Sequence, residues 1–265
     1  MVRWKPLDAA ACGSRLSARQ PCALEGYSVK NSLSPIPKEK AMKKVLISIF
    51  CFAIALSFSH PAAGQAGPNS MDDQLIQAAT SNDLDAVRQA LDKGAHIDAK
   101  TMDEDGWTAL ISSIYRGNNE VVKLLLKRGA NTEVPANDGT TALIKAAIRG
   151  DAEIAKLLLE KGAHLEARNN LGDTALMMAA RYGSAEVVNL LLAKGASVEA
   201  TDSKGSTALM MAAISDINPV PVVKLLLKKG ANVAAQDKNG DTALKLATTA
   251  GNAEVVKLLR ERGAH

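Results

Sequence analysis

Apolar residues in this chain fall into short runs of two kinds, and the two kinds alternate. In ALMMAARY, residues 175–182, almost every position is apolar or small. Thr174 precedes the run and Gly183 follows it. A threonine hydroxyl caps a helix start and glycine ends a helix at no steric cost, so a short helix is predicted between them. The next run, SAEVVNLLLAK, differs in pattern. Val187, Leu190 and Leu191 recur at helical spacing among polar residues, which predicts an amphipathic second helix with one buried face. Glu186 lies in its first turn and Lys194 in its last, each on the side that the helix dipole favours. Gly195 closes that helix, and ASVEATDSKG leads on as an extended finger.

The same sentence is written several times. Turn glycines at 106, 139, 172, 205 and 240 are separated by 33, 33, 33 and 35 residues. Closing glycines at 94, 129, 162, 195, 230 and 263 are separated by 35, 33, 33, 35 and 33. The acid-then-base pattern recurs as Glu120/Lys127, Glu153/Lys161 and Glu254/Arg260. A fixed period of this length predicts a stack of supersecondary units, each burying its apolar face against its neighbours. Two units are irregular. KTMDEDG (100–106) lengthens the first finger by two residues, and ISDINPVPVV (214–223) adds two between the helices of the fifth unit. The last unit carries Arg260, Glu261 and Arg262 and reads as a polar end cap.

These repeats resemble the ankyrin repeat. The resemblance rests on G-x-T-A-L at 106–110, 139–143, 172–176, 205–209 and 240–244, and on the recurring L-L-x-x-G-A ends. A partial first unit at 75–95 lacks the turn. The chain departs from the family's T-P-L-H. Alanine replaces proline at Ala109, Ala142, Ala175, Ala208 and Ala243, and the histidine becomes Ile111, Ile144, Met177, Met210 and Lys245. The threonine–histidine bond is thereby lost, so weaker helix capping is expected. The resemblance implies an all-α, ankyrin-type helical solenoid of about six helix-turn-helix repeats with short β-hairpin-like fingers, spanning 75–265. It also implies protein–protein interaction rather than catalysis. In the family pattern, the residue after the turn glycine and the two before the first-helix glycine face a concave groove. Those positions are Trp107, then Tyr115 and Arg116, Ile148 and Arg149, Arg181 and Tyr182, with Ile214 in the fifth unit. Tyr, Trp and Arg dominate interface hot spots, so this set is the expected partner-binding stripe.

Composition changes the picture mainly at the N-terminus. The formal charge is +4, but residues 1–66 hold nine Lys or Arg and three Asp or Glu. Residues 67–265 hold 23 basic and 25 acidic residues, so the repeats give nucleic-acid binding no electrostatic support. Residues 42–66, MKKVLISIFCFAIALSFSHPAAGQA, have the charged start, apolar run and small-residue end of a secretory signal. The apolar run of 14 residues is short for a membrane span. Phe50 before Cys51 argues against lipid attachment. Met42 is the expected start, with 1–41 read as a non-native extension or a disordered leader and 67–74 as a linker. All three cysteines precede residue 66, so a cysteine-free body is expected in a bacterial periplasm as a monomer, with no stable membrane insertion. An uncleaved anchor is the alternative.

The repeats carry no phosphate loop, nucleophile elbow or zinc spacing. No catalytic, cofactor-binding or metal-binding residue is assigned, and no enzyme activity is expected. His96, His164 and His265 share one repeat phase and read as surface positions. Asp98, Glu133, Glu166 and Glu199 also share a phase, as a solvated finger edge or a site for a cationic partner. Met177, Met178, Met210 and Met211 read as core. Metal or oxidant buffering by these thioethers is the alternative function.

Overall fold

The computed structural model describes residues 70–264. The expected extension at 1–41, the signal at 42–66 and the first linker residues lie outside that range. The described residues form twelve helices in six pairs. The pairs are α1 (Met71–Ser81) with α2 (Leu84–Asp92), α3 (Ala109–Arg116) with α4 (Asn119–Lys127), and α5 (Ala142–Arg149) with α6 (Ala152–Glu160). They continue as α7 (Ala175–Arg181) with α8 (Ala185–Ala193), α9 (Ala208–Ala213) with α10 (Pro219–Lys228), and α11 (Ala243–Ala250) with α12 (Ala253–Glu261). First helices stack on first helices along the whole series, and most second helices meet the second helix of the next unit. Helix α1 takes in residues 71–74, which the sequence reading assigned to the linker. The cause is local: Ser70 accepts a hydrogen bond from the Asp73 amide at 3.0 Å, capping the helix four residues early.

The core follows the repeat phase. Leu125, Leu158, Leu191, Leu226 and Leu259 occupy one position of the second helix, and all are fully buried. Each such leucine contributes about 1.5–3 kcal/mol by leaving water. Ile111, Ile144, Met177 and Met210 form a buried column on the first helices, where the family pattern has histidine. The fifth member of that column, Lys245, is exposed and pairs with Asp241, so the last unit turns a polar face outward. The threonines keep their capping role without histidine. Thr108, Thr141, Thr174, Thr207 and Thr242 each accept from the amide three residues on, at 3.2, 3.5, 3.4, 3.4 and 3.3 Å. These bonds are longer than the usual 2.9–3.0 Å.

Two hydrogen-bond systems tie unit to unit outside the core. At the fingertips the amides of Asn137, Asn170, Ser203 and Lys238 donate to the carbonyls of Asp105, Asp138, Leu171 and Lys204, each at 2.9 Å. Antiparallel bridges at Lys100–Thr108, Thr201–Thr207 and Gln236–Thr242 close three of the fingers. The second system is the acidic column. Asp98, Glu133, Glu166 and Glu199 accept the amides of Asn131, His164, Ser197 and Asn232 in the following unit, at 2.9, 3.0, 2.9 and 2.9 Å. Asp72 does the same for His96 at 2.7 Å. These carboxylates staple the stack, a role beyond that of a solvated finger edge or a site for a cationic partner.

The inserted residues of the fifth unit also pack against the stack. Asn218 adopts a left-handed conformation, φ +45°, and Pro219 starts α10. The Ile217 carbonyl oxygen lies 1.8 Å from where a Cβ on Gly183 would stand. Only glycine at 183 therefore lets this loop close on the preceding unit.

Candidate functional site

The stripe expected from the sequence divides along the run of first helices into two groups. In the N-terminal half, Trp107 is half-buried and its ring centroid lies 4.7 Å from that of Tyr115, at an interplanar angle of 56°. Tyr115 is 44% exposed. The Arg116 guanidinium lies 5.9 Å above the Tyr115 ring. Arg149 reaches back one unit and donates to the Tyr115 carbonyl at 2.6 Å. That bond ties down the end of α3, so Arg149 has a stitching role that its exposed position in the repeat does not reveal.

In the C-terminal half, Ile148, Arg181, Tyr182 and Ile214 line an open groove of about 450 Å³ together with Met178 and Met211. Tyr182 is 40% exposed, and Ile148 and Ile214 are half-buried. Arg181 lies against the Met211 sulfur at 3.7 Å. Met177 is sealed in the core and Met210 keeps 1% of its surface, whereas Met178 and Met211 keep 8% and 7% at the groove floor. Leu171, on the finger wall, is 62% exposed. The fingers supply acids to this wall, including Asp138 and Asp202, each of which accepts a local backbone amide.

Sequence reasoning missed Lys145. It sits on α5 at the phase of Met178 and Met211, and it is buried. Its ammonium lies 4.6 Å from the Trp107 ring centroid and 5.6 Å from that of Tyr115. Burial pushes its pKa below the ordinary lysine value, and the nearby charges of Asp138 and Asp105 oppose that shift. The signal was present in the chain: a charged residue where the next three units have Met178, Met211 and Leu246, one unit after the one tryptophan of the repeats. Leu171 gave no comparable sign, because a lone apolar residue on a finger is common.

Among the described residues no group of three or more His, Cys, Asp or Glu is placed to hold a metal ion. No helix among them is long and apolar enough to cross a membrane.

The family profile described as "Ankyrin repeats (3 copies)" matches residues 75–169, 131–202 and 176–265, which together take in most of the chain. The chain belongs to the ankyrin repeat family. Ankyrin stacks serve as protein–protein interaction modules and are generally non-catalytic. This ankyrin chain superposes with a TM-score of 0.63 and 32% identity on a chain of a solved complex, that of the predatory endopeptidase Bd0816 from Bdellovibrio bacteriovorus with the immunity protein Bd3460. The match covers 71% of this chain and 97% of the other. Human mitochondrial disaggregase is 39% identical over 64 residues, which is 24% of this chain and 9% of that protein. Human 2-5A-dependent ribonuclease is 37% identical over 57 residues, 22% of this chain and 8% of that protein. The matches thus span less than a tenth of these two relatives, and the activities in their names belong to far longer proteins.

Proposed function

We propose that this ankyrin chain binds a folded protein partner along its groove, as an exported monomer of a bacterial envelope. The observation that carries the reading is the groove itself: Tyr182 remains 40% exposed beside a floor that includes Met178 and Met211, and Tyr115, 44% exposed, stands further along the same run of first helices. Tyrosine offers rigid apolar area with a hydroxyl at low entropic cost, which suits the centre of an interface. The signal-like residues 42–66 and the cysteine-free repeats support export. The likeness to a chain of an endopeptidase–immunity protein complex makes an exported hydrolase the first partner class to test.

The test is crosslinking and capture from the native envelope with the full chain, followed by calorimetric titration of the purified partner. Tyr182→Ala is expected to weaken binding by at least about tenfold, as hot-spot truncation does. Lys127→Ala and Lys161→Ala, at the ends of second helices, are expected to leave affinity unchanged. The reverse outcome would place the partner on the outer face of the stack. If the captured protein is a hydrolase, its activity is expected to fall in proportion to complex formed.

A further inference from the structure

We infer that Lys145 is the receptor for a carboxylate of the partner: an Asp or Glu side chain enters the groove beside Tyr115 and accepts hydrogen bonds from the Lys145 ammonium. This rests on the groove being the binding face, and it adds the chemistry that the face selects.

The first ground is an incomplete environment. Lys145 keeps only 8% of its surface. Two aromatic rings lie against its ammonium at 4.6 and 5.6 Å. Ring faces attract a cation but present no lone pair along an N–H direction, and an ammonium has three such donors. Among the described residues no acceptor or carboxylate lies within hydrogen-bond or ion-pair distance of Nζ. Nor is Nζ one of the fully enclosed, unpartnered polar atoms, so the nitrogen retains an opening to solvent. A desolvated charge with unfilled donors and one open direction is a place where an arriving oxygen gains more than it would on an ordinary surface lysine.

The second ground is charge. Helices α3, α5, α7, α9 and α11 contain Arg116, Lys145, Arg149, Arg181 and Lys245, and no Asp or Glu. Three of these cations surround Tyr115: Arg116 over its ring, Lys145 over its ring and Arg149 on its carbonyl. The helix wall of the groove is therefore cationic. The nearest anions, Asp105 and Asp138, stand on the fingers, close enough to be felt at Lys145 but beyond ion-pair distance. Asp138 is further held by the Thr140 amide at 2.8 Å. A partner acid directed at the helix wall is complementary to it, whereas a partner base would meet three cations and find its counter-charges on the opposite wall.

The experiment uses a display library of random heptapeptides, fused so that their C-termini are not free, selected on the immobilised full chain. Peptides whose binding is lost on Tyr182→Ala or Tyr115→Ala are taken as groove binders. These are expected to share one Asp or Glu. Synthetic versions with that acid changed to its amide are expected to bind the unaltered protein about tenfold less tightly. On Lys145→Met the acid and amide forms are expected to bind alike. Methionine stands at the same phase in the next two units, so this variant is compatible with the stack. The acid–amide comparison on the unaltered protein needs no variant at all. Groove binders without an acid preference, or a preference that survives Lys145→Met, would overturn the carboxylate site and leave the groove standing. Peptides indifferent to both tyrosine variants would overturn the groove as well.

Discussion

The two halves of the groove are built on the same backbone plan and end in opposite states. In the N-terminal half the position after the turn glycine is Trp107, and its ring reaches Tyr115 and the Lys145 ammonium. In the C-terminal half the same position holds Asp173 and then Ser206. Neither side chain is long enough to cross to the floor, and about 450 Å³ stays open over Met178 and Met211. Trp107 thus covers part of the floor in one half, where Asp173 and Ser206 leave the floor open in the other. One floor position differs along with it: Lys145 lies under two rings, and Met178 and Met211 line the open part.

The largest test of that contrast is Trp107→Ala. Removing the ring takes away the cover of both Tyr115 and Lys145, and for this half-buried tryptophan a loss of about 2–3 kcal/mol is expected, below the 3–5 typical of full burial. Urea midpoints at constant slope would measure it, and a change under about 0.5 kcal/mol would mean that the filled half owes nothing to the indole. Next comes Met178→Lys, which copies Lys145 into the half that lacks aromatic cover. About 1–2 kcal/mol of destabilisation is expected, because the ammonium is desolvated without a compensating ring. Equal stability in that variant would show that the rings are not what makes a floor lysine tolerable.

A smaller effect should ignore the contrast altogether. Glu133→Ala and Glu166→Ala remove one staple from each half, and each is expected to cost about 1 kcal/mol, a partly exposed charge-assisted bond. Unequal costs would show that the halves differ in their stacking and not merely in their lining.

The smallest expected change is Lys145→Met, within about 0.5 kcal/mol near neutrality, but with a distinctive pH signature. Burial lowers the Lys145 pKa, so above the lowered value and below the ordinary 10.5 the unfolded chain binds more protons than the folded one. Stability therefore gains a component that rises with pH across that interval. Lys123 and Lys245 have raised pKa values through Glu153 and Asp241, and their contributions are lost as pH rises past them. Subtracting the Lys145→Met profile from that of the unaltered protein isolates the rising component. A flat difference would mean that Lys145 is not desolvated in solution.

The stack was legible because its determinants are local and repeated. The run from Thr174 to Gly195 contains a cap, two apolar patterns and a closing glycine, and the period multiplies that signal. The same phase brought Ile148, Arg181, Tyr182 and Ile214 to one groove. How the stripe residues use their side chains was not legible. Arg149 reads as a free guanidinium until the Tyr115 carbonyl is seen 34 residues earlier in the chain. The column from Asp98 to Glu199 reads as surface charge, because its acceptors meet amides 31–33 residues further on. Lys145 looked like one polar residue in an apolar run, and only the convergence of α3, a finger and α5 gives it two rings. Contacts between units depend on side-chain reach across the stack, which the repeat phase alone does not encode.

The staples have a consequence for how such a chain can grow. From Asp98 to Glu199 each carboxylate recognises a backbone amide, and the bond stays at 2.9–3.0 Å whether the side chain on that amide is Asn131, His164, Ser197 or Asn232. The join between units is thus indifferent to sequence at the receiving end. A unit copied by unequal recombination into another slot would find its joint already compatible, so the array can lengthen or shorten by whole modules while the groove residues diversify independently.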